Sequence, residues 1–183
     1  PDGNEEVLSH FDLKVPAGTT VAIVGETGAG KSTLVNLVCR FFEPTSGTIL
    51  IDGVDYKKRS RLWLHSSIGY VLQDPHLFSG TIAENIRYGK PSATDEEVIA
   101  AAKAVAADKV AEAFDTGYDT DVGESGDRLS TGEKQLISFA RAIIADPKIF
   151  VLVEATSSRD TETERLIQNA VNKLLKGRTS FII

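Results

Sequence analysis

The stretch GETGAGKST, residues 25–33, constrains the fold more than any other part of the chain. It follows a short apolar run rich in β-formers, TVAIVG, and it opens the helical pattern KSTLVNLVCRFF, which Pro44 stops. Glycines let consecutive backbone N–H groups turn inward around a phosphate, and the helix N-terminus adds partial positive charge. The sequence therefore predicts a phosphate-binding loop between a buried strand and a helix.

The side chains of this loop extend the prediction to a nucleoside triphosphate and its metal ion. Lys31 can reach the β- and γ-phosphates, and the Ser32 hydroxyl can ligate Mg²⁺. The alternative is a glycine-rich turn with a chance Gly-Lys pair, and the full pattern in its strand-to-helix context favours the phosphate loop. The predicted nucleotide-binding residues are Gly25, Glu26, Thr27, Gly28, Ala29, Gly30, Lys31, Ser32 and Thr33.

The rest of the chain reads as an α/β core interrupted by helical sequence. An alanine-rich segment beginning DEEVIAAAKAV contrasts with the apolar strand-like runs on either side of it. We expect one domain, with the α/β core in residues 1–73 and 148–183 and a helical subdomain in residues 74–147. The predicted strands are SGTILIDGVD with a tight turn at Asp52-Gly53, SIGYVLQD, IFVLVE and TSFII, and the predicted helix between the last two is ERLIQNAVNKLLK.

Composition excludes some classes of protein. The 183 residues are 42% apolar and 25% charged, an ordinary globular balance. The net charge of −6 argues against a nucleic-acid surface, which usually needs a basic face. The single cysteine, Cys39, cannot form an internal disulfide and fits a reducing compartment. No apolar run reaches the ~18 residues of a membrane span.

The order of several further motifs along the chain is informative. Gln73 ends the run YVLQD, LSTGEKQ (residues 129–135) opens a helix, and EATSSRD follows the last long strand. With GETGAGKST, and with PHLFSGTIAENI and TDVGESG, they resemble the nucleotide-binding domain of an exporter-type ATP-binding cassette (ABC) transporter across essentially the whole chain. The resemblance implies a RecA-like P-loop NTPase core with a parallel or mixed sheet, and ATP and Mg²⁺ as cofactors.

The resemblance assigns catalytic roles residue by residue. Lys31 and Gln73 would serve catalysis, Gln73 by touching Mg²⁺ or the attacking water, and Glu154 would be the general base. Asp160 matches the D-loop aspartate at a dimer contact. The structural alternatives are a strand-end amide at 73, a helix-cap acid at 154 and a solvated charge at 160.

The resemblance also implies partners. Two such domains, identical or different, pair head to tail around two ATP molecules, and the signature residues Ser130, Thr131, Gly132 and Glu133 would face the partner's γ-phosphate. The alternative for this stretch is plain helix capping, with Ser130 or Thr131 at the start and Glu133 in the first turn. The insertion from Gln73 to Asn85 would meet a transmembrane domain, at the cytoplasmic face of a cell membrane.

Several positions depart from the family pattern. Val153 stands where an aspartate holds waters of the Mg²⁺ shell; because a hydrogen bond to a charged group is worth roughly 1.5–3 kcal/mol, we expect metal placement weakened on the order of 10- to 100-fold. Thr131 and Glu133 replace the usual glycine and glutamine. The adenine-stacking aromatic would fall before Pro1, and Phe11, in strand-like FDLKV, is expected in the core.

The last departure concerns a catalytic histidine, and it bears on the function as a whole. The family's switch histidine would fall beyond Ile183, and His10, His65 and His76 do not match it and are expected at the surface. We therefore expect the ATP-binding motor domain of an exporter with impaired hydrolysis, and segments missing on both sides. Two alternatives stay open: a non-hydrolysing regulatory module, and a soluble cassette ATPase acting on DNA or ribosomes.

Overall fold

A four-stranded parallel sheet forms the centre of the fold. The computed structural model describes residues 7–72, 75–153 and 161–183. The strands are β1 (Thr20–Ala22), β4 (Ile68–Val71), β5 (Ile149–Leu152) and β6 (Thr179–Ile182), in the order β1-β6-β5-β4. The carboxyl ends of all four strands therefore lie at one edge of the sheet, where open α/β folds bind ligands.

Alternation along the strands gives the sheet two apolar faces. Val21, Phe181, Val151 and Tyr70 lie side by side in register across the four strands. They pack with Val35 of helix α1 (Lys31–Val38). Phe150 and Leu152 point the other way, into a larger apolar cluster that includes residues of α6 (Thr131–Ile144) and α7 (Thr161–Leu175). Burial on both faces is why β4 and β5 read as apolar runs. The expectation of a buried strand before the phosphate loop is wrong, because β1 lies at the sheet edge, where Thr20 and Ala22 are exposed and Val21 is half-buried.

A small antiparallel hairpin lies outside the main sheet. Strands β2 (Leu50–Ile51) and β3 (Val54–Asp55) pair across Asp52 and Gly53, which have φ of 51° and 75°. Two successive positive φ values are those of a type I′ turn, so the predicted Asp-Gly turn is confirmed. The short helix α2 (Arg61–Ser66) follows and was not predicted; the Ser60 side chain caps it by accepting from the Trp63 N–H at 3.1 Å.

Helices dominate between β4 and β5. They are α3 (Ile82–Arg87), α4 (Asp95–Ala104), α5 (Asp108–Glu112) and α6, and α6 packs against α3, α4 and α7. No helix in the described residues is long and apolar enough to cross a membrane. The predicted α/β class with a parallel sheet is confirmed, whereas the subdomain boundaries at 73/74 and 147/148 stay a prediction.

Two further local expectations are wrong. Helix α1 ends at Val38 rather than at residue 42, because Arg40 adopts a left-handed φ of 57° and its guanidinium donates to the carbonyls of Tyr56 and Arg59 at 3.1 and 2.9 Å. Phe11 is 53% exposed rather than in the core. Phe11 belongs to none of the described strands and to neither apolar cluster of the described residues.

Candidate functional site

The predicted phosphate loop leads from β1 into α1 at the carboxyl edge of the sheet. Gly28 and Gly30 have φ of 87° and 84°, which a residue with a Cβ adopts only under strain. The Ala29 N–H donates to the Glu26 carbonyl at 3.1 Å and closes a turn inside the loop. The Lys31 ammonium donates to the carbonyls of Gly25 and Glu26, at 2.7 and 2.8 Å. The lysine head is therefore held over the loop itself.

The N-terminus of α1 differs from those of α4 and α6, the other long helices whose starts are described. Its cap residue, Gly30, offers no side-chain oxygen, and its first turn contains no acidic residue. The first N–H groups of a helix have no intrahelical partner, and with the macrodipole they attract anions. Neither a side-chain cap nor an acidic residue of the first turn competes here for a phosphate. The loop and the helix together fit a triphosphate.

The α6 N-terminus is closed by its own side chains. The Ser130 Oγ accepts from the Glu133 N–H at 3.3 Å, and the Glu133 carboxylate accepts from the Ser130 N–H at 2.8 Å and from its hydroxyl at 2.7 Å. This is a full capping box, so the capping interpretation of this stretch is confirmed. Ser130 and Thr131 are exposed, and their role toward a partner's phosphate stays a prediction.

Gly132 has a packing role that the sequence did not indicate. It is buried, and a Cβ there would collide with the methyl group of Thr163 on α7. Glycine at this position therefore lets the start of α6 approach α7 closely. This is a sufficient physical reason for glycine at 132 without any ligand.

Val153 directly follows β5 on the face that carries α1. It is half-buried against the cluster of Val35, Cys39, Val151 and Phe181, and its N–H donates to the Val71 carbonyl at 3.0 Å. The side chain contributes apolar contacts to this cluster and offers no ligand to a cation. Gln73, Glu154 and Asp160 lie outside the described residues, so their predicted roles stay predictions.

The metal site can be tested against the described part of the chain. Within residues 7–72, 75–153 and 161–183 there is no group of three histidine, cysteine or acidic residues that could hold a cation. Ser32, exposed in the first turn of α1, supplies one hydroxyl. Protein-bound Mg²⁺ usually takes one or two carboxylates together with substrate phosphates. Of the described loop residues, Ser32 could thus give a nucleotide-bound metal a single hydroxyl ligand.

A buried polar network in the helical region was missed by sequence reasoning. Asn85 on α3 is 2% exposed, and Arg141 on α6 donates to its side chain at 2.8 Å. The signal in the sequence is weak: Asn85 stands between Glu84 and Ile86 in the run IAENI, inside the segment expected to meet the transmembrane partner.

Comparison with known proteins decides the family. The model of the ABC transporter family matches residues 8–157. The chain belongs to the ABC transporter family. It is 52% identical over 182 residues to YfiC, an uncharacterised ABC transporter ATP-binding protein of Bacillus subtilis. That match covers all of this chain and 30% of YfiC. The chain is 55% identical over 177 residues to a fatty acid ABC transporter ATP-binding/permease protein of Mycobacterium bovis, covering 97% of this chain and 28% of that protein.

A solved structure extends the likeness to the fold. The structure of a bacterial Atm1-family ABC exporter with ATP bound superposes with a TM-score of 0.89 at 43% identity, over all of this chain and 32% of that one. The fold is therefore that of an ABC exporter ATP-binding domain. The chain spans about a third or less of the length of each relative that it matches here.

Proposed function

We propose that this chain is the ATP-binding motor domain of an ABC exporter, which couples ATP-driven head-to-tail dimerisation to transport by a transmembrane partner. The observation that best supports ATP binding is the phosphate loop: left-handed glycines, a lysine held over the loop, and a helix N-terminus without cap or acid. The family match supports the coupling to transport.

In this proposal each loop residue has a defined task. The backbone of residues 25–33 cradles the phosphates, Lys31 neutralises their charge, and Ser32 with Gln73 holds Mg²⁺. A bound Mg²⁺ would neutralise charge on the phosphate oxygens. Glu154 would accept a proton from the attacking water, and Asp160 would meet the second nucleotide-binding domain.

Turnover is proposed to be slow. Val153 fills the metal-facing position with a side chain that packs on an apolar cluster and cannot orient a hydrated cation. ATP affinity depends on the loop and is retained in part, whereas hydrolysis depends on the metal and the base. We therefore expect this chain to bind ATP better than it hydrolyses it.

The transmembrane partner is proposed to dock on the segment between residues 75 and 88. Phe78 and Tyr88 are 41% and 63% exposed, and their ring centroids lie 4.5 Å apart. The two ring planes are tilted by 35°, and a pair of exposed aromatic rings in contact is typical of interaction hot spots. This docking would place the domain at the cytoplasmic face of a membrane. The comparisons favour neither a regulatory module nor a soluble ATPase acting on DNA or ribosomes.

The test is titration of a fluorescent ATP analogue into the chain and into Lys31→Ala. Removing a charged donor from the phosphates should weaken binding at least about tenfold, because charge-assisted hydrogen bonds are worth roughly 1.5–3 kcal/mol. The matched control is Lys103→Ala, which removes an exposed lysine from α4. Equal affinity for all three proteins, with unchanged circular dichroism, would refute the phosphate-loop role.

A further inference from the structure

The Arg141 side chain of α6 reaches back to α3 and to the loop that precedes it. Its Nε donates to the Asn85 carbonyl at 2.9 Å, its Nη1 to the His76 carbonyl at 2.9 Å, and its Nη2 to the Asn85 Oδ1 at 2.8 Å. Three acceptors on two separate segments are thus gathered by one planar group. The guanidinium is half-buried, and burial lowers its pKa from the usual value.

Asn85 completes the connection from the other side. Its Oδ1 also accepts from the Phe78 N–H at 2.9 Å, and its Nδ2 donates to the carbonyls of Phe78 and Thr81 at 2.8 and 3.0 Å. Both the oxygen and the nitrogen of this buried amide therefore form hydrogen bonds, which is how buried polar groups avoid a desolvation penalty. The asparagine holds the loop, and Arg141 holds the asparagine.

The exposed aromatic pair lies directly on this network. The Arg141 guanidinium carbon is 5.2 Å from the Phe78 ring centroid and 5.8 Å from that of Tyr88. Behind them, a Cβ at Gly89 would collide with the Arg141 carbonyl, so the end of α3 lies against the α6 backbone. The two rings are thus supported by a cation that belongs to α6.

We propose that Arg141 is a positioning residue that fixes the Phe78–Tyr88 surface to the helix that begins with the signature residues. A force applied to the aromatic pair then moves α6 as one body, rather than deforming the loop between them. The meaning of that surface for a transmembrane partner rests on the proposed function. The mechanical link itself requires neither a partner nor ATP.

The geometry requires arginine rather than any cation. A guanidinium presents its donors in a rigid plane, so one group can serve the carbonyls of His76 and Asn85 and the Asn85 side chain together. Lysine would keep the charge over the rings but would supply one ammonium at one point. Arg141→Lys therefore keeps the charge and removes the fork, the set of guanidinium hydrogen bonds to His76 and Asn85.

Amide hydrogen exchange, followed residue by residue by NMR, tests the proposal in the isolated chain. The reporter is the Phe78 N–H, whose acceptor is Asn85. The reference amides are Val98 on α4 and Lys134 on α6, which donate to the Thr94 and Ser130 carbonyls. In Arg141→Lys we expect the Phe78 amide to exchange at least about tenfold faster, beyond any change at the two references. The reason is that local opening of the loop before α3 no longer has to break the guanidinium hydrogen bonds.

Two further variants locate the effect. Arg87→Lys is the matched control, since Arg87 is also half-buried and donates to the Ala93 carbonyl at 3.1 Å without touching the fork. It should leave the Phe78 amide unchanged relative to the references. Phe78→Leu removes the ring but keeps the backbone and the fork, so the amide at position 78 should stay protected.

The remaining outcomes overturn the assignment. Uniform acceleration of all three amides would show that Arg141 only stabilises the domain, and an unchanged Phe78 amide would show that the fork does not hold the loop. A variant that fails to fold would assign Arg141 to the core rather than to positioning. Because no nucleotide is involved, each result stands even if Lys31→Ala leaves ATP binding intact and the proposed function fails.

Discussion

At the scale of single residues, Val153 and Lys31 explain why the site resembles an ATPase and departs from one. Lys31 is anchored by two carbonyls of its own loop, so its charge is already in place for a phosphate. Val153 lies at the carboxyl end of β5 and contributes to an apolar cluster instead of a metal shell. The first feature supports the proposed ATP binding, and the second is the reason we propose slow turnover.

The half-buried place of Val153 predicts a stability cost for restoring a carboxylate. Val153→Asp should lower the nucleotide-free free energy of unfolding by roughly 1–3 kcal/mol, because a partly desolvated charge replaces apolar contacts. The matched control is Val24→Asp at a site that is 87% exposed, where the cost should be within about 0.5 kcal/mol. Urea denaturation of the three proteins measures both values. Equal costs would contradict the packing described for Val153.

Cys39 gives a second prediction at this scale. Burial raises the pKa of its thiol from about 9 to about 12. The folded state therefore keeps the proton at a pH where the unfolded state loses it, so this contribution to stability is complete below pH 9 and is lost as pH rises toward 12. At pH 8 a disulfide reagent should modify Cys39 only on unfolding. Rapid reaction in the native protein, at the rate seen in urea, would contradict the burial of this thiol.

At the scale of secondary-structure elements, the described helices differ in whether side chains cap their N-termini. Helices α3, α4 and α6 each begin with a full capping box, formed by Thr81 and Glu84, Thr94 and Glu97, and Ser130 and Glu133. Helix α1 alone among the longer described helices with a described start has neither cap nor acid. The difference separates a helix that offers its N–H groups to a phosphate from helices that have satisfied their own.

The closed start of α6 predicts the effect of removing its charge. Glu133→Gln keeps an oxygen for the Ser130 N–H but removes an anion from the surface that would face a partner's triphosphate. We expect the chain itself to stay mainly monomeric with ATP, and Glu133→Gln to strengthen ATP-dependent association at least about tenfold, since one relieved charge contact is worth at least about 1.4 kcal/mol.

The control for this experiment is built into the fold. Glu84→Gln makes the same change in the capping box of α3, away from the signature residues. Sedimentation velocity over a range of protein concentrations, with and without ATP, compares the three proteins. The same association in both variants, or an ATP-dependent dimer of the unaltered chain, would show that Glu133 does not oppose pairing.

The elements were predictable where a local pattern decides them. The Asp-Gly turn, the four core strands and the helix that starts at Lys31 follow from residue spacing alone. The end of α1 could not be predicted in this way, because Arg40 terminates the helix through contacts with Tyr56 and Arg59, about twenty residues further along the chain. The exposure of Phe11 likewise depends on tertiary packing, which the apolar pattern FDLKV does not encode.

At the scale of the whole molecule, the phosphate loop could be predicted in detail, and the network that joins the helices could not. GETGAGKST specifies backbone shape and charge within nine residues. The link between Arg141 and Asn85 spans 56 residues and forms only when α6 lies against α3. The same holds for Gly132, whose role in packing on α7 follows from tertiary structure and not from its motif.

As a whole, the chain is proposed to keep its phosphate-binding loop and to lack a metal-binding carboxylate at position 153. Calorimetric titration of ATP into the chain and into Val153→Asp, each with Mg²⁺ and with a chelator, tests this most directly. We predict that Mg²⁺ changes the affinity of the unaltered chain little. In Val153→Asp it should raise affinity by about tenfold or more, because the new carboxylate acts only through the metal shell. An equal gain in ATP affinity of Val153→Asp over the unaltered chain, with Mg²⁺ and with chelator, would contradict this proposal. So would a lack of ATP binding by the unaltered chain in both conditions.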